Sequence, residues 1–261
     1  MGLGTEVGRN IERAYQLIKK SVSGGMLMDS FDVVKQVEEY RQFWKPKRTN
    51  VALLAESHVY TDERDFEIEC DRFILHRMVP SYPLRFVRFV YCLGYGEDKL
   101  LIRKRADRKN TGTPQYWKIF SSCVAENETD LGFHRIVSTK TPTFMKRLYN
   151  KVSVLQKMKD KGIWLLDASI IGLYGTGQKN RENFKKTTFE ISWKNHVSKL
   201  LKEATPKHII LIGKGVGDIL HFNLQNIGVP FTVVPQPQAR GTSEWQLENY
   251  KTYQRICAKC C

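Results

Sequence analysis

The sequence has little of what marks membrane-spanning or disulfide-bonded proteins. No stretch approaches about 18 uninterrupted apolar residues, so we expect no membrane-spanning helix. The first residues do not combine a basic start with an apolar core, so we expect no secretory signal and a cytoplasmic protein. In that compartment the six cysteines are expected to be reduced thiols.

Metal ligands at suitable spacing are also scarce. The segment from Cys257 to Cys261 contains one CxxC. No second CxxC and no closely spaced histidine pair supplies the further ligands of a zinc site. We therefore expect no metal.

One glycine-rich segment, Gly213-Lys214-Gly215-Val216-Gly217-Asp218, follows an apolar strand and opens a helix. A dinucleotide-binding fingerprint has glycine where Asp218 stands, and an acidic residue about 20 residues later that is missing here. We interpret the segment as a tight strand-to-helix turn and expect no cofactor. The free amides of such a turn still favour a phosphate.

Length and charge set broad limits on function. The chain has 261 residues, of which 41% are hydrophobic, enough to fill one large core or two small ones. The net charge of +15 suggests a polyanionic partner. A soluble basic protein with a solvated surface would show the same balance. Two basic clusters, at 103–109 and 179–186, are compatible both with a polyanionic partner and with a solvated surface.

Short apolar segments alternate with segments of helical spacing. The expected strands are 51–55, 163–171, 208–212 and 230–234, and the expected helices are 9–20, 30–44, 62–79, 143–161, 191–204, 217–226 and 242–257. Residues 96–116 are rich in turn signals. The alternation predicts an α/β fold, a three-layer α/β/α arrangement with a central, mostly parallel four-stranded sheet. Residues 1–48 are expected to form a helical extension packed on a domain of residues 49–261.

Two polar loops follow the first and last expected strands. They contain Glu56, Ser57, His58 and Tyr60, and Gln236, Gln238 and Arg240. Loops at the carboxyl ends of parallel strands line the ligand crevice of an open sheet. The two loops are therefore expected to face one pocket.

These segments resemble the motifs of the uracil-DNA glycosylase superfamily. Ala55-Glu56-Ser57-His58 stands at the first motif, Leu165-Leu166-Asp167 at the Leu-Leu-Asn that reads the flipped base, and residues 236–240 at the second motif. The resemblance covers roughly residues 50–250 and rests on motif order and strand-end placement. It implies a monomeric glycosylase-like domain that flips a base out of DNA and hydrolyses its N-glycosidic bond.

The resemblance also assigns roles. Glu56, Ser57 and Gln236 take the catalytic positions, where Ser57 replaces an acidic or amide residue and Gln236 replaces a histidine. Glu56 would orient water or stabilise a cationic sugar. His58, which replaces a proline, and Tyr60 take base-binding positions, although Tyr60 would serve equally as core packing.

Three further residues are expected to contact DNA. Arg240 stands where the family inserts a residue into the duplex, and a plain phosphate contact is the alternative. Gln238 beside it and Lys214 at the glycine-rich turn are the other expected DNA-binding residues.

The aspartate at position 167 indicates which DNA base the protein would bind. A carboxylate accepts from the amino group of cytosine, and, if buried and protonated, it also donates to N3. We therefore expect a cytosine-type base, including modified cytosine, rather than uracil, with a role in repair or in defence against modified phage DNA. The alternative is that Asp167 caps a helix or pairs with a lysine.

Two other classes of function stay open. One is a non-catalytic module of the same fold that binds DNA or a base. The other is an unrelated basic α/β enzyme, such as a nucleotide hydrolase.

Overall fold

Four parallel strands form the centre of the protein in a computed structural model. The structure describes residues 4–21, 27–106, 112–137, 140–174, 181–237 and 239–261. The strands are β1 (Val51–Ala55), β2 (Ile163–Asp167), β3 (His208–Ile212) and β4 (Phe231–Val234). Their order is β2-β1-β3-β4, so β1 pairs with both β2 and β3. The predicted four-stranded parallel sheet is confirmed.

Helices occupy most of the remaining described chain. They are α1 (Thr5–Ser21), α2 (Phe31–Phe43), α3 (Glu63–Phe66), α4 (Arg72–Met78), α5 (Pro114–Val124), α6 (Phe144–Lys161), α7 (Arg181–Ser192), α8 (Ser198–Ala204), α9 (Lys214–Gln225) and α10 (Ser243–Cys260). A π-helical turn, Trp193–Val197, joins α7 to α8. Every residue of β1 and β2 is buried, as expected for parallel strands covered on both faces. The α/β class with helices around the sheet is therefore confirmed.

The second strand is shorter than its apolar run suggests. It ends at Asp167, four residues before the predicted end. Beyond it, the amides of Ala168 and Ser169 donate to the carbonyls of Ala55 and Glu56 at 2.7 and 3.1 Å. These hydrogen bonds tie the chain after β2 to the end of β1, so the apolar residues that follow pack as a buried loop.

Several helical segments also differ from the prediction, and helix α7 begins ten residues before the predicted start at 191. Residues 62–79 form two short helices because Asp62 and Asp71 each cap a separate helix start, accepting from the amides of Arg64 and Ile74. Helix α5 begins at Pro114 within the stretch predicted to be turn-rich, and proline suits the first helical turn. Helix α9 begins three residues earlier than predicted, directly after Gly213.

The N-terminal helices share the hydrophobic core of the sheet. Ile11 and Ile18 of α1 and Val33 and Tyr40 of α2 are fully buried in the same cluster as β1. Helix α1 packs on α7 and on the π-helical turn. The segment before β1 thus completes the core.

Over the part of the chain that the structure describes, no helix combines the length and apolar character needed to cross a membrane. The six cysteines are free thiols.

Candidate functional site

A cavity of about 370 Å³ lies at the carboxyl ends of β1 and β2. Four residues predicted from the sequence line it: Ser57, His58, Asp167 and Gln236. Its aromatic lining comes from Phe89, Tyr95, Tyr116 and Tyr174. The strand order places β2 beside β1, so segments more than 100 residues apart meet around one space.

Asp167 stands in the wall of this cavity as the last residue of β2. It is 4% exposed. Arg41 Nη2 donates to Asp167 Oδ2 at 2.9 Å, and His58 Nδ1 lies 3.4 Å from the same oxygen. The partner is therefore an arginine, where the sequence offered a lysine or a helix cap as alternatives. A carboxylate that faces a guanidinium in an ion pair acts as a hydrogen-bond acceptor.

His58 joins the cavity wall to the segment before α2. Its side chain is fully buried, and its Nε2 lies 3.0 Å from Asp29 Oδ2. Burial lowers the pKa of His58, but hydrogen bonds to Asp167 and Asp29 outweigh burial and raise that pKa to about 9. The imidazole is thus a cation at neutral pH, with a carboxylate at each ring nitrogen.

Asp29 in turn fixes both loops that follow the first two strands. Its Oδ1 accepts from the Thr61 amide at 2.9 Å, and its Oδ2 accepts from the Gly172 amide at 2.5 Å. One carboxylate thereby holds the loop after β1 against the loop after β2.

Arg41 also contacts a second buried pair, formed by Glu38 and His196. Glu38 pairs with Arg41, and His196 Nε2 lies 3.2 Å from Glu38 Oε2. Burial raises the pKa of Glu38, yet the charges of Arg41 and His196 lower it to about 2. Removing one partner of such a network leaves a buried charge without compensation, which destabilises a protein strongly. We define the buried network as Asp29, Glu38, Arg41, His58, Asp167 and His196.

Glu56 lies beside the cavity but does not belong to its lining. The residue is 5% exposed and follows β1 directly. Lys185 Nζ donates to Glu56 Oε2 at 2.9 Å, and Gln236 Nε2 donates to the same oxygen at 3.1 Å. Gln236 also reaches the Tyr174 hydroxyl at 3.3 Å. The two predicted catalytic side chains, Glu56 and Gln236, are therefore in direct contact.

Ser57 braces the loops around the cavity. Its Oγ donates to the His58 carbonyl at 2.9 Å and accepts from the Leu173 amide at 3.1 Å. No histidine or carboxylate bonds to this hydroxyl among the described residues. These contacts give Ser57 a structural role.

Tyr60 is not part of the cavity lining. Its amide donates to the Tyr174 carbonyl at 2.8 Å, and its side chain is partly buried. Phe89 contributes a ring to the cavity wall: the His58 ring lies 6.1 Å from it edge-on, and the Arg41 guanidinium lies 5.1 Å over it.

Two of the three predicted DNA-contacting residues lie on the surface. Lys214 is exposed at the first turn of α9, and Arg240 is exposed in the loop after β4. Gln238 lies outside the described residues, as do residues 175–180 of the loop after β2. Exposure leaves Lys214 and Arg240 accessible to a phosphate backbone.

Several residues around the cavity were missed by the sequence reading. Arg41 lies in a helix whose spacing gave no reason to single it out, and Lys185 was noted only as part of the basic cluster 179–186. Phe89 and Tyr116 lie in stretches without a recognised motif. Burial, with the charge of Asp167 nearby, raises the pKa of the Tyr116 phenol well above its ordinary value, so the phenol remains a donor. The one available signal was the apolar run 86–91, which Arg88 interrupts.

Within the described residues, no three histidine, cysteine or acidic side chains are placed to hold a metal ion. Comparison with family models, with curated proteins and with solved structures finds no match for this chain. The function has to be inferred from the geometry of the cavity and its neighbours.

Proposed function

We propose that the protein is a DNA glycosylase, a divergent member of the uracil-DNA glycosylase superfamily. The observation that carries the proposal is the cavity at the carboxyl edge of the sheet. Asp167 and Phe89 line it, and Gln236 connects it to Glu56. An aromatic pocket with a few convergent polar groups is typical of a small-ligand site. Three segments proposed as glycosylase motifs supply those polar groups.

Base recognition would use the ring and the carboxylate together. A base that leaves the duplex loses stacking at a cost of a few kcal/mol. Stacking on Phe89 offsets part of that cost. Asp167 accepts from an exocyclic amino group, and the Tyr116 hydroxyl donates to an acceptor of the base. An amino group points to a cytosine-type base, including a modified one, over uracil.

Bond cleavage would rest on electrostatic stabilisation. When the C1′–N bond breaks, its electron pair passes to the base and positive charge develops on the sugar; water then adds to C1′ and releases one proton. Glu56 supplies a preorganised negative charge for the sugar, and Gln236 supplies an uncharged amide donor. Lys185 fixes the position of the Glu56 carboxylate.

DNA would bind across the edge that carries the cavity. The net charge of +15 favours a polyanion, and Arg240 and Lys214 are exposed for phosphate contacts. We propose Arg240, flanked by Gln238, as the residue that fills the space left by the flipped base. A monomer in the cytoplasm, serving repair or defence against modified phage DNA, would suffice for this activity.

The proposed catalytic role of Glu56 is tested by the Glu56→Gln variant. Oligonucleotides that each contain one non-standard base are incubated with protein and then heated in alkali, which cleaves at abasic sites. We expect cleavage with at least one cytosine-type base, and a rate lowered roughly 100-fold in Glu56→Gln because the charge near the sugar is lost.

The matched control is Glu203→Gln. Glu203 also pairs with a lysine, Lys45, at 2.6 Å, but it is exposed on α8. This variant is expected to keep the wild-type rate. Equal rates for wild type and Glu56→Gln, with both proteins folded by thermal melting, would contradict the role of Glu56.

The second candidate is a non-catalytic base-binding module. It is favoured by Ser57, whose hydroxyl is bonded to the Leu173 amide and the His58 carbonyl and, among the described residues, has no histidine or carboxylate bonded to it to act as a general base. This candidate predicts tight binding of DNA that holds a flipped base, with no alkali-labile site for any base in the set.

A further inference from the structure

Three polar side chains of the cavity lining have no part in the proposed chemistry. They are Tyr95, Thr113 and Gln115, and the last two lie at the start of α5. The backbone at Gly112 lies so close to Gly96 that a Cβ atom there would stand 2.8 Å from the Gly96 Cα. This close approach brings the start of α5 against the segment that follows Tyr95. We define the polar wall as Tyr95, Thr113 and Gln115.

The polar wall contains buried hydroxyl groups without a partner among the described residues. Thr113 stands at the N-cap of α5, where a threonine hydroxyl ordinarily accepts from an amide of the first turn. Its Oγ1 is buried and makes no such bond. Tyr95 is 2% exposed, and its phenol likewise bonds to none of the described residues. Because buried polar groups of native proteins are nearly always hydrogen-bonded, these two hydroxyls indicate a ligand.

The charged side chains that line the cavity are each paired with an opposite charge. The pairs are His58 with Asp29, Asp167 with Arg41, and Arg88 with Asp65. A charged ligand group would therefore be buried without a counter-charge of its own, which is costly. The polar wall itself offers uncharged groups. Burial raises the pKa of the Tyr95 phenol to about 12, so this phenol stays neutral at physiological pH and both donates and accepts. An uncharged hydroxyl is the matching ligand group.

The cavity is also larger than a single pyrimidine ring requires. Its volume is about 370 Å³, whereas a protein cavity of about 150 Å³ holds a benzene ring. Under the proposed function the sugar lies beside Glu56, which does not belong to the lining. The lined space therefore has room for a base and for a group attached to that base.

We propose that the polar wall is a subsite for an uncharged, hydroxyl-bearing substituent on the flipped base. This inference rests on the proposed base-excision function and names its substrate class, a cytosine hydroxylated on a group at C5. Position C5 lies beside the exocyclic amino group and outside the edge that pairs with guanine, so the amino group stays free to donate to Asp167. The substituent bonds to Tyr95 and Thr113. Ordinary cytosine leaves both hydroxyls unpaired and is therefore disfavoured.

Two pairs of cytosines of matched shape test the role of the hydroxyl groups. The first pair is 5-hydroxymethylcytosine and 5-ethylcytosine, in which a methyl group replaces the hydroxyl. The second pair carries a hexose or a cyclohexane ring on the oxygen of 5-hydroxymethylcytosine. Each base is placed once in a single-stranded oligonucleotide, and binding is measured by fluorescence anisotropy with excess unmodified competitor DNA. We expect the hydroxylated member of at least one pair to bind at least about threefold more tightly, as one or two buried hydrogen bonds allow. A hydroxylated member that binds no more tightly than its partner in both pairs would overturn the inference.

Chromatography of the released base separates this inference from the proposed function. Tighter binding of a hydroxylated cytosine without release of any base would overturn the glycosylase proposal and support the subsite. Release of cytosine-type bases with equal affinity within both pairs would support the glycosylase proposal and overturn the subsite.

Tyr95→Phe and Thr113→Val provide the matching changes in the protein. Each removes one hydroxyl and nearly keeps the shape of the side chain. Because neither hydroxyl has a partner among the described residues, both variants should melt like the wild type. The affinity ratio within the discriminated pair should fall at least about twofold in at least one variant, while the affinity for the apolar member stays unchanged.

The control is Tyr149→Phe, which removes a phenol that is exposed on α6. It should keep the wild-type ratio. Ratios unchanged in both folded variants of the polar wall would contradict the subsite. The two pairs of cytosines on the wild-type protein decide the question should a variant not fold.

Discussion

His58 carries a proton because carboxylates face both of its ring nitrogens. Asp29 lies 3.0 Å from Nε2 and Asp167 lies 3.4 Å from Nδ1. The ordinary histidine pKa of 6.5 is raised to about 9 despite complete burial. A pKa raised on folding stabilises the native state fully below the unfolded pKa, and the stabilisation is lost as pH rises through the folded pKa. The stability that the buried network provides is therefore expected to fall at alkaline pH.

The His58→Gln variant tests this linkage. From pH 6.5 to pH 9 the wild-type protein should lose roughly 3 kcal/mol of unfolding free energy relative to the variant, since each pKa unit is worth about 1.4 kcal/mol. The variant should be less stable than wild type at pH 6.5, because Asp29 and Asp167 lose a buried cation. Urea unfolding at four pH values measures both effects.

The control substitution is His134→Gln at an exposed site. It should give a pH profile parallel to that of the wild type. A His58→Gln profile that also runs parallel to the wild type would show that His58 gains no proton affinity on folding.

At the scale of elements, the N-terminal helices supply part of the site. Glu38 and Arg41 lie on α2, and Asp29 lies two residues before it. Arg41 reaches Asp167 across 126 residues of sequence. Without this segment, Asp167 would lose Arg41 and His58 would lose Asp29. Helix α7 would lose the cover that α1 provides.

Deletion of residues 1–48 is therefore expected to abolish cooperative folding. The fragment 49–261 should show no sharp thermal transition by circular dichroism and rapid digestion by trypsin, whereas the full chain melts cooperatively. A fragment that melts cooperatively would show that residues 49–261 form an autonomous domain.

Strands β1, β2 and β3 were predictable from sequence because nearly all of their residues are buried. Runs such as Val51–Ala55 and His208–Ile212 contain mostly apolar residues and end at polar loops. The end of β2 was not predictable, because the apolar residues after Asp167 are buried in a loop held by backbone hydrogen bonds to β1. The local sequence pattern indicates that a segment is buried. Tertiary contacts determine whether that buried segment forms a strand.

The site was predictable only in part, for a similar reason. Asp167 and Gln236 could be found because they follow strands. Their partners Arg41 and Lys185 lie in helices, where a basic residue is ordinarily solvated. Pairing across long sequence separations leaves no local signal.

At the scale of the whole molecule, the strand order determines where chemistry can occur. With β1 between β2 and β3, the loops after β1 and β2 meet at one edge, and Gln236 after β4 reaches Glu56 from the other side. The net charge of +15 favours approach of a polyanion to the molecule. Under the proposed function that polyanion is DNA, and its flipped base would enter the cavity at this edge.

Mass spectrometry of the DNA product tests the central claim most directly. An oligonucleotide with a single cytosine-type base, unmodified or modified, is incubated with excess protein and weighed intact. The account predicts a strand of unchanged length whose mass falls by one base and rises by one hydroxyl, with the free base in solution. A strand of unchanged mass for every cytosine-type base tested, or one cut without loss of a base, would contradict it.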